Sequence, residues 1–408
     1  MHVLIFKMEG IAYNSTRLFA DMLAYGFKRA GAVVDIFDIT KHGNIQELEE
    51  LKGENYDAVI DFNSKLPDLI MDNNDNDGKE MYFLDSINGS FYNYIVDHPV
   101  YHHKFLAHKL KNYNVICIDE NHAEYIRQFY PHIKNILVEP LGAIEADNIN
   151  GLMEDMGISD KGIYSKGIYS KGIADHRKNA ILFPGTYLDP VGYYEIIEAM
   201  PDNMKNGIKA VINIMENNPG LTYESAVRKY VLQKQAVNNG VNNTMYFMAD
   251  IYMRAVTRQN VLEEFARAGA KLVICGEKYD ESSLSQYENV KIIPQVSYAQ
   301  SLYLMHNYRY VLNIMPLFKA GIHDRVVNSM INGAVSISDS NSLMDRYFEK
   351  GSDYLCYDIT DKKSIKKLVS DINNERVDWK LISQNAYKKA KSMTFEKIAG
   401  DIMKLSGN

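Results

Sequence analysis

The stretch from Tyr310 to Asp345, YVLNIMPLFKAGIHDRVVNSMINGAVSISDSNSLMD, constrains this chain more than any other. It opens on Val311 to Met315, a run of strand length and composition, which Pro316 stops because proline has no amide hydrogen to give a ladder. The polar turn from Lys319 to Arg325 follows, and then a helical pattern with Val326, Val327, Met330 and Ile331 on one side. Asn332-Gly333 predicts a left-handed helix end, and Ala334 to Ser338 predicts a second strand. In a strand-turn-helix-strand unit the turn lies at the carboxyl end of the strand and the amino end of the helix. Unpaired amides and the helix dipole make that place attractive to anions, phosphates above all. Every α/β protein repeats such a unit, so the pattern alone leaves a nucleotide site and a plain scaffold both open.

The totals narrow the partners. At 408 residues the chain is long enough for two or three domains with large cores. Forty-five basic against 52 acidic residues give a net charge of −7, which does not suit nucleic acid as a partner. Cys117, Cys275 and Cys356 sit in apolar runs without metal-site spacing and read as thiols of a reducing compartment. The apolar run in MHVLIFKMEG is too short for a signal peptide, and no run reaches the ~20 apolar residues of a membrane span. The expected location is the cytoplasm.

Along the chain, His2 to Phe6 predicts a strand, Asn14-Ser15-Thr16 helix caps, and Leu18, Phe19, Met22, Leu23 and Phe27 the core face of a helix ending at Gly31. Val33 to Phe37, Asp57 to Phe62, Met81 to Leu84, Val115 to Ile118 and Ile136 to Val138 predict further strands. The β-α-β opening lacks G-x-G-x-x-G, so a dinucleotide fingerprint is absent. The tract Asp72 to Gly78 starts like a calcium loop, but Leu84 stands where the bidentate Glu belongs. Its Asp75-Asn76-Asp77 reads as a solvated turn rather than a metal motif, and no metal site is expected.

We divide the chain into an acceptor-side domain over residues 1–150, a linker over 151–178 holding KGIYS, KGIYS and KGIAD in tandem, a second domain over 179–390 with a helical insertion at about 192–269, and a terminal helix over 391–408 that crosses back. In the second domain Ala180 to Phe183, Lys271 to Cys275, Val290 to Ile293 and Asp353 to Tyr357 predict strands. Tyr298 to His306 and Trp379 to Leu405 predict helices.

The segment LNIMP…GIHDRVVNSMINGAVSISD resembles the donor-binding segment of GT-B glycosyltransferases, and is most similar to the spore-maturation-type group with a C-terminal glycosyl transferase group 1 domain. The resemblance implies two Rossmann-like domains facing a cleft, and a transferase moving a sugar from a nucleoside diphosphate, UDP type favoured, to a protein or glycan acceptor in bacterial cell-surface glycosylation. It implies no cofactor, since such enzymes steady the leaving diphosphate with helix ends and basic side chains. Many GT-B enzymes carry a ribose-binding Glu five residues before the helix-ending Gly. Here that position is the neutral Asn328.

Arg325 is the first candidate, because a guanidinium fork at a helix start fits two phosphate oxygens. Its bland alternative is a salt bridge to Asp324. Gly321, His323 and Asp324 complete the donor turn, although Asp324 also reads as a helix N-cap. Gly185 and Thr186 form another strand-to-helix turn facing the phosphates. Ser297 and Tyr298 resemble the loop that lines the nucleobase, with packing as the default for a tyrosine. On the acceptor side stand Glu9, Gly10 and Asn14. Asp97-His98-Pro99 resembles a D-H-P element of the family, and makes Asp97 and His98 candidates for catalysis, a His beside a carboxylate being able to take a proton. Asp119 and His122 form a second pair, with Asp119 the better helix cap. Two rival readings stay open: a GT-B-fold epimerase or phosphorylase, and a two-lobed binding protein with a dead site.

Overall fold

The computed structural model describes residues 1–8, 11–42, 45–71, 81–149, 177–233, 247–315 and 318–406. Glu9, Gly10, the Asp72 to Gly78 tract, the KGIYS repeats and Pro316 lie outside these residues. The chain divides into two compact units, Met1–Gly142 with Met393–Asn408, and Ala143–Ser392.

Unit 1 is built on strands β1 (His2–Lys7), β2 (Val33–Asp38), β3 (Asn55–Phe62), β6 (Asn88–Ile95), β7 (Tyr113–Cys117) and β8 (Asn135–Val138), with a small hairpin of β4 (Ile70–Met71) and β5 (Met81–Tyr82). The six form one parallel sheet in the order β2-β1-β3-β6-β7-β8. Helix α1 (Ile11–Arg29) buries Leu18, Phe19, Met22, Leu23 and Phe27, the stripe its spacing predicts. It starts at Ile11, so Asn14, Ser15 and Thr16 lie inside it and do not cap it. Met81–Tyr82 is half of the hairpin rather than a sheet strand, and Phe83–Ser86 is a 3-10 turn.

The strand that sequence reasoning missed is β6, a central one. NGSFYNYI carries two asparagines and a glycine and so looks like loop. It survives at the centre because Asn93, 0% exposed, has both ends of its amide satisfied. Its Oδ1 accepts from Ser64 N at 3.0 Å and its Nδ2 donates to Tyr113 Oη at 3.2 Å.

Unit 2 holds β9 (Lys178–Pro184), β10 (Leu272–Cys275), β11 (Val290–Ile293), β12 (Tyr308–Leu312), β13 (Val335–Ser338) and β14 (Leu355–Cys356). They form a second parallel sheet in the order β11-β10-β9-β12-β13-β14, the 3-2-1-4-5-6 order of doubly wound folds. Four helices separate β9 from β10 among the described residues: α3 (Pro190–Glu198), α4 (Asp202–Asn217), α5 (Tyr223–Gln233) and α6 (Phe247–Arg267). In unit 1, helix α2 (Glu120–Phe129) is capped by Asp119 Oδ1, which accepts from Asn121 N at 2.7 Å. Farther on come α7 (Tyr298–His306), α8 (Asp324–Ile331), α9 (Ser342–Tyr347), α10 (Lys362–Asn373) and α11 (Trp379–Ala390). The continuous terminal helix expected from Trp379 to Leu405 is two helices, because α11 ends before α12 (Phe395–Ser406). Helix α12 belongs to unit 1, where the Phe395 and Phe19 rings stack at 6.1 Å.

In unit 2 the chain leaves β9 for β10 on one side and runs from β11 to β12 on the other. The crevice at the carboxyl ends of β9 and β12 is therefore the switch point where open α/β sheets take ligands.

Candidate functional site

Two turns meet at that switch point. The first is Pro184-Gly185-Thr186 at the end of β9, and the second is the segment from Asn313 to Arg325 between β12 and α8. Gly333, at φ +72°, ends α8 in the left-handed conformation its position predicts.

Arg325 joins the two turns. Its side chain is buried and spans from Pro184 O, to which Nε donates at 3.0 Å, to Asn313 Oδ1, to which Nη1 donates at 2.9 Å. Its guanidinium lies 5.1 Å from the centre of the Phe183 ring. Gly185 is required beside it. A Cβ there would come within 2.8 Å of the Phe183 ring and 3.5 Å of Arg325 Nη2. Asn313, 0% exposed, is the receiving end of this brace and in turn donates to Ser338 Oγ at 3.0 Å. It is the asparagine of the LNI motif.

The N-cap position of α8 is held by His323 rather than Asp324. Helix α8 includes Asp324, and His323 Nδ1 faces Arg325 N at 3.2 Å. The same nitrogen is 2.6 Å from Asp324 Oδ1, and it cannot both donate and accept. The shorter contact, to an ionised carboxylate, is the stronger, so Nδ1 carries the proton and points it at Asp324. Burial lowers the pKa of His323, Arg325 and Arg258 lower it further, and Asp324 opposes them, so the ring is neutral near pH 7. Burial would raise the Asp324 pKa, but His323, Arg325 and the Tyr298 hydroxyl outweigh it and hold the group well below the usual carboxylate range.

Tyr298 donates its hydroxyl proton to Asp324 Oδ2 and accepts from Asn328 Nδ2 at 2.9 Å. Burial, then Asp324, raises its pKa far above the ordinary phenol value. Asn328 is 0% exposed, and its Oδ1 accepts from Ile144 N at 2.8 Å, so both ends of its amide are used within unit 2. Ser297 forms a capping box with Gln300 at the start of α7. Thr186 is exposed, and its carbonyl accepts from Arg258 Nη1 at 2.5 Å and from Tyr279 Oη at 3.1 Å. Gly321 O accepts from Asn341 Nδ2 at 2.7 Å, which ties the donor turn to the start of α9. A pocket of about 460 Å³ opens elsewhere in the unit, between α4, α6 and α10. Lys319 reaches its rim, but none of Phe183, Gly185, His323 or Arg325 lines it.

In unit 1 the two candidate pairs form one cluster at the ends of β6 and β7. The half-buried Asp97 accepts from Asn63 Nδ2 at 3.0 Å through Oδ2. Asn63 is held at φ +48° just past β3, and its Oδ1 accepts from Val96 N at 3.0 Å. His98 is buried, and its Nδ1 accepts from Val100 N at 3.1 Å. Its ring meets His122 at 4.8 Å and Tyr125 at 5.2 Å. His102 is buried nearby with no hydrogen-bond partner at Nε2. Burial lowers its pKa, Asp97 pulls it up, and His98 and Lys65 push it down. Asn14 lies in the first turn of α1, and its side chain is outside the described residues. Among the described residues no set of three His, Cys, Asp or Glu side chains has metal-site geometry, and no helix is long and apolar enough to cross a membrane.

Comparison with known proteins bears on the fold. Residues 254–404 match the family model described as "Glycosyl transferase-like". No curated protein matches the chain in sequence. T4 phage BGT in complex with its UDP-glucose substrate is similar in structure, with a TM-score of 0.52 and 12% identity over 100% of this chain and 99% of that chain. An alpha-glucosyltransferase in complex with UDP-glucose and DNA containing an abasic site gives 0.53 and 10% over 100% of both chains. Sucrose-phosphate synthase from Thermosynechococcus elongatus gives 0.52 and 10% over 99% of this chain and 98% of that one. At these identities the likeness is one of fold. The chain has the α/β fold of GT-B glycosyltransferases, two Rossmann-like halves with parallel sheets, and carries a glycosyl transferase-like domain in its C-terminal part.

Proposed function

We propose that this chain is a glycosyltransferase that moves a sugar from a nucleoside diphosphate, UDP type, to a hydroxyl of a protein or glycan acceptor, in the manner of the spore-maturation-type group. The observation that carries the reading is Arg325, a buried cation in the first turn of α8 at the switch point of unit 2, held in place by Pro184 O and Asn313. The glycosyl transferase-like match over residues 254–404 and the UDP-glucose bound by two of the similar structures support it.

The acceptor oxygen attacks the anomeric carbon of the sugar, the bond from that carbon to the β-phosphate oxygen breaks, and the nucleoside diphosphate leaves with the electron pair. Arg325 and the amide end of α8 take up the charge that develops on the leaving group. We assign the acceptor's proton to Asp97, which Asn63 orients, and give His98 the structural task of shaping the turn that follows. In this reading Asn328 orients Tyr298 from behind rather than touching ribose. Charge neutralisation by side chain and helix asks for no metal. The net charge of −7 favours a protein or glycan over the DNA found with one of the similar structures. The three free thiols, two of them buried, suit the cytoplasm.

The test is release of nucleoside diphosphate from a panel of UDP-, GDP-, CDP-, dTDP- and ADP-sugars with mixed protein and glycan acceptors, with and without EDTA. Acceptor-dependent release from one donor series, unchanged by EDTA, is expected. Transfer and nucleotide affinity that both survive Arg325→Ala would remove the site. Turnover without an acceptor would point to an epimerase, and binding without turnover to a dead-site binding protein.

A further inference from the structure

The stretch that leaves β13, Ser338-Asp339-Ser340-Asn341, stands directly behind the donor turn. Strands β12 and β13 run parallel with Leu312 beside Ile337, and Asn313 N donates to Ile337 O at 2.7 Å. The residues past the two strands therefore start out side by side, and three side chains of the second stretch hold the first. The buried Ser338 accepts from Asn313 Nδ2 at 3.0 Å through Oγ, and the buried Asp339 accepts from Met315 N at 3.0 Å through Oδ1. Asn341 Nδ2 donates to Phe318 O at 2.9 Å and to Gly321 O at 2.7 Å.

Each of these contacts lies one step behind a part of the site. Asn313 Oδ1 receives Arg325 Nη1 at 2.9 Å, so Ser338 orients the amide that orients the guanidinium. Tyr357, just past β14, holds the same residue by donating its hydroxyl proton to Asn313 O at 3.0 Å. Met315 Sδ accepts from His323 N at 3.3 Å, so Asp339 reaches the amide end of α8 through one residue.

Asn341 separates this arrangement from ordinary helix capping. Its Oδ1 accepts from Leu343 N and Met344 N, both at 3.0 Å, and so caps α9. A serine, threonine or aspartate would cap that helix equally, since a cap needs only an oxygen. Of these residues only asparagine also carries an amide with two hydrogens to give. Both contacts of that amide go to carbonyls of the donor turn, so it is the turn and not α9 that calls for it. A carbonyl oxygen directed at a diphosphate repels it, and Asn341 draws two of them to itself.

We infer that Ser338, Asp339 and Asn341 are positioning residues of the donor site, which hold Asn313, Met315, Phe318 and Gly321 in the arrangement that receives the diphosphate before the donor arrives. The inference rests on the proposed donor site and adds to it the residues that act through the turn rather than on the donor.

The experiment is calorimetric titration of the full chain and its Asn341→Asp and Asn341→Ser variants with UDP and with uridine. Both variants keep an oxygen to cap α9 and lose the amide hydrogens. Asn341→Asp also sets a carboxylate against Phe318 O and Gly321 O, and is expected to weaken UDP about 10- to 100-fold and to leave uridine unchanged. Asn341→Ser, which adds no charge, is expected to weaken UDP by less. UDP affinity equal to wild type in both variants, or uridine affinity falling in step with UDP, overturns the positioning role alone. If Asn341→Asp does not fold, the ratio of UDP to uridine affinity in Asn341→Ser decides the matter by itself. A wild-type chain that binds no UDP overturns the positioning role and the donor site together.

Discussion

Asp61 and Asp324 are both acids enclosed near the carboxyl end of a parallel sheet, one in each unit, and they titrate in opposite directions. Asp61, 1% exposed at the end of β3, receives Phe62 N at 2.8 Å on one oxygen, and its Oδ2 has no hydrogen-bond partner. Burial pushes its pKa up to about 7, against the pull of Ser64 and Phe62 N. Asp324 is met by an imidazole, a phenol and a guanidinium, and stays ionised despite its burial. Burial sets the cost of a charge, and the partners decide whether the group bears it. The same contrast runs through the two sheet edges. Unit 1 gathers acids and imidazoles past β3, β6 and β7, while unit 2 gathers arginines and a helix amino end past β9 and β12. In the function proposed above, the first half handles the proton and the second binds the anion.

Four changes test that contrast. Asp97→Asn should lower the turnover number about 10²- to 10⁴-fold and leave UDP affinity as it was, because a proton acceptor is removed from unit 1 and nothing from unit 2. Steady-state kinetics beside calorimetry separates the two, and an equal loss in both would place Asp97 in donor binding. Arg325→Ala should do the reverse and weaken UDP together with kcat/KM, about 10²- to 10³-fold in the latter. A circular dichroism melt is needed alongside, since this change also leaves Asn313 Oδ1 and Pro184 O without their donor.

The third change concerns pH. The folded pKa of Asp61, about 7, lies above the ~3.9 of an unfolded Asp, so its contribution to stability is complete below pH ~4 and is lost as pH rises through 7. Asp61→Asn should therefore match wild type at pH 4 and exceed it at pH 8, by on the order of 3 kcal/mol. Denaturant melts at the two pH values show whether the gap opens. A constant difference would mean that Asp61 does not titrate in this range. The smallest effect is expected from Tyr298→Phe, which deprives Asp324 of a donor and Asn328 of an acceptor and should cost about 1–3 kcal/mol in the same melts. Uridine affinity unmoved by that change would confine Tyr298 to a bracing role. A clear loss would return it to the base pocket that its place in the sequence suggests.

Much of the fold was legible because its signals are local. The stripe of α1, the strand at Val290–Ile293, the helix at Tyr298–His306 and the glycine end of α8 each follow from spacing and one punctuating residue. The misreadings come from side-chain partners that a local pattern does not show. Strand β6 looked polar because Ser64 and Tyr113, which satisfy Asn93, lie far from it in the chain. Asp324 looked like a cap because a histidine at the N-cap position is rarer, and its carboxylate instead meets His323 Nδ1 and the Tyr298 hydroxyl. Arg325 could be singled out by its place at a helix start, but its brace, Asn313, and the second arginine, Arg258, could not. Nothing within a few residues of Arg258 marks it as a side chain that reaches back to the turn of β9.

The most direct test of the central claim, that the β9 and β12 turns of unit 2 hold a diphosphate, is calorimetric titration of the intact chain with UDP, GDP, CDP, dTDP and ADP, in the presence and absence of EDTA. The account predicts one clear binder, UDP, with the same affinity in both buffers. No binding by any of the five would contradict the donor site, and binding that EDTA abolishes would contradict the claim that arginine and helix carry the charge unaided.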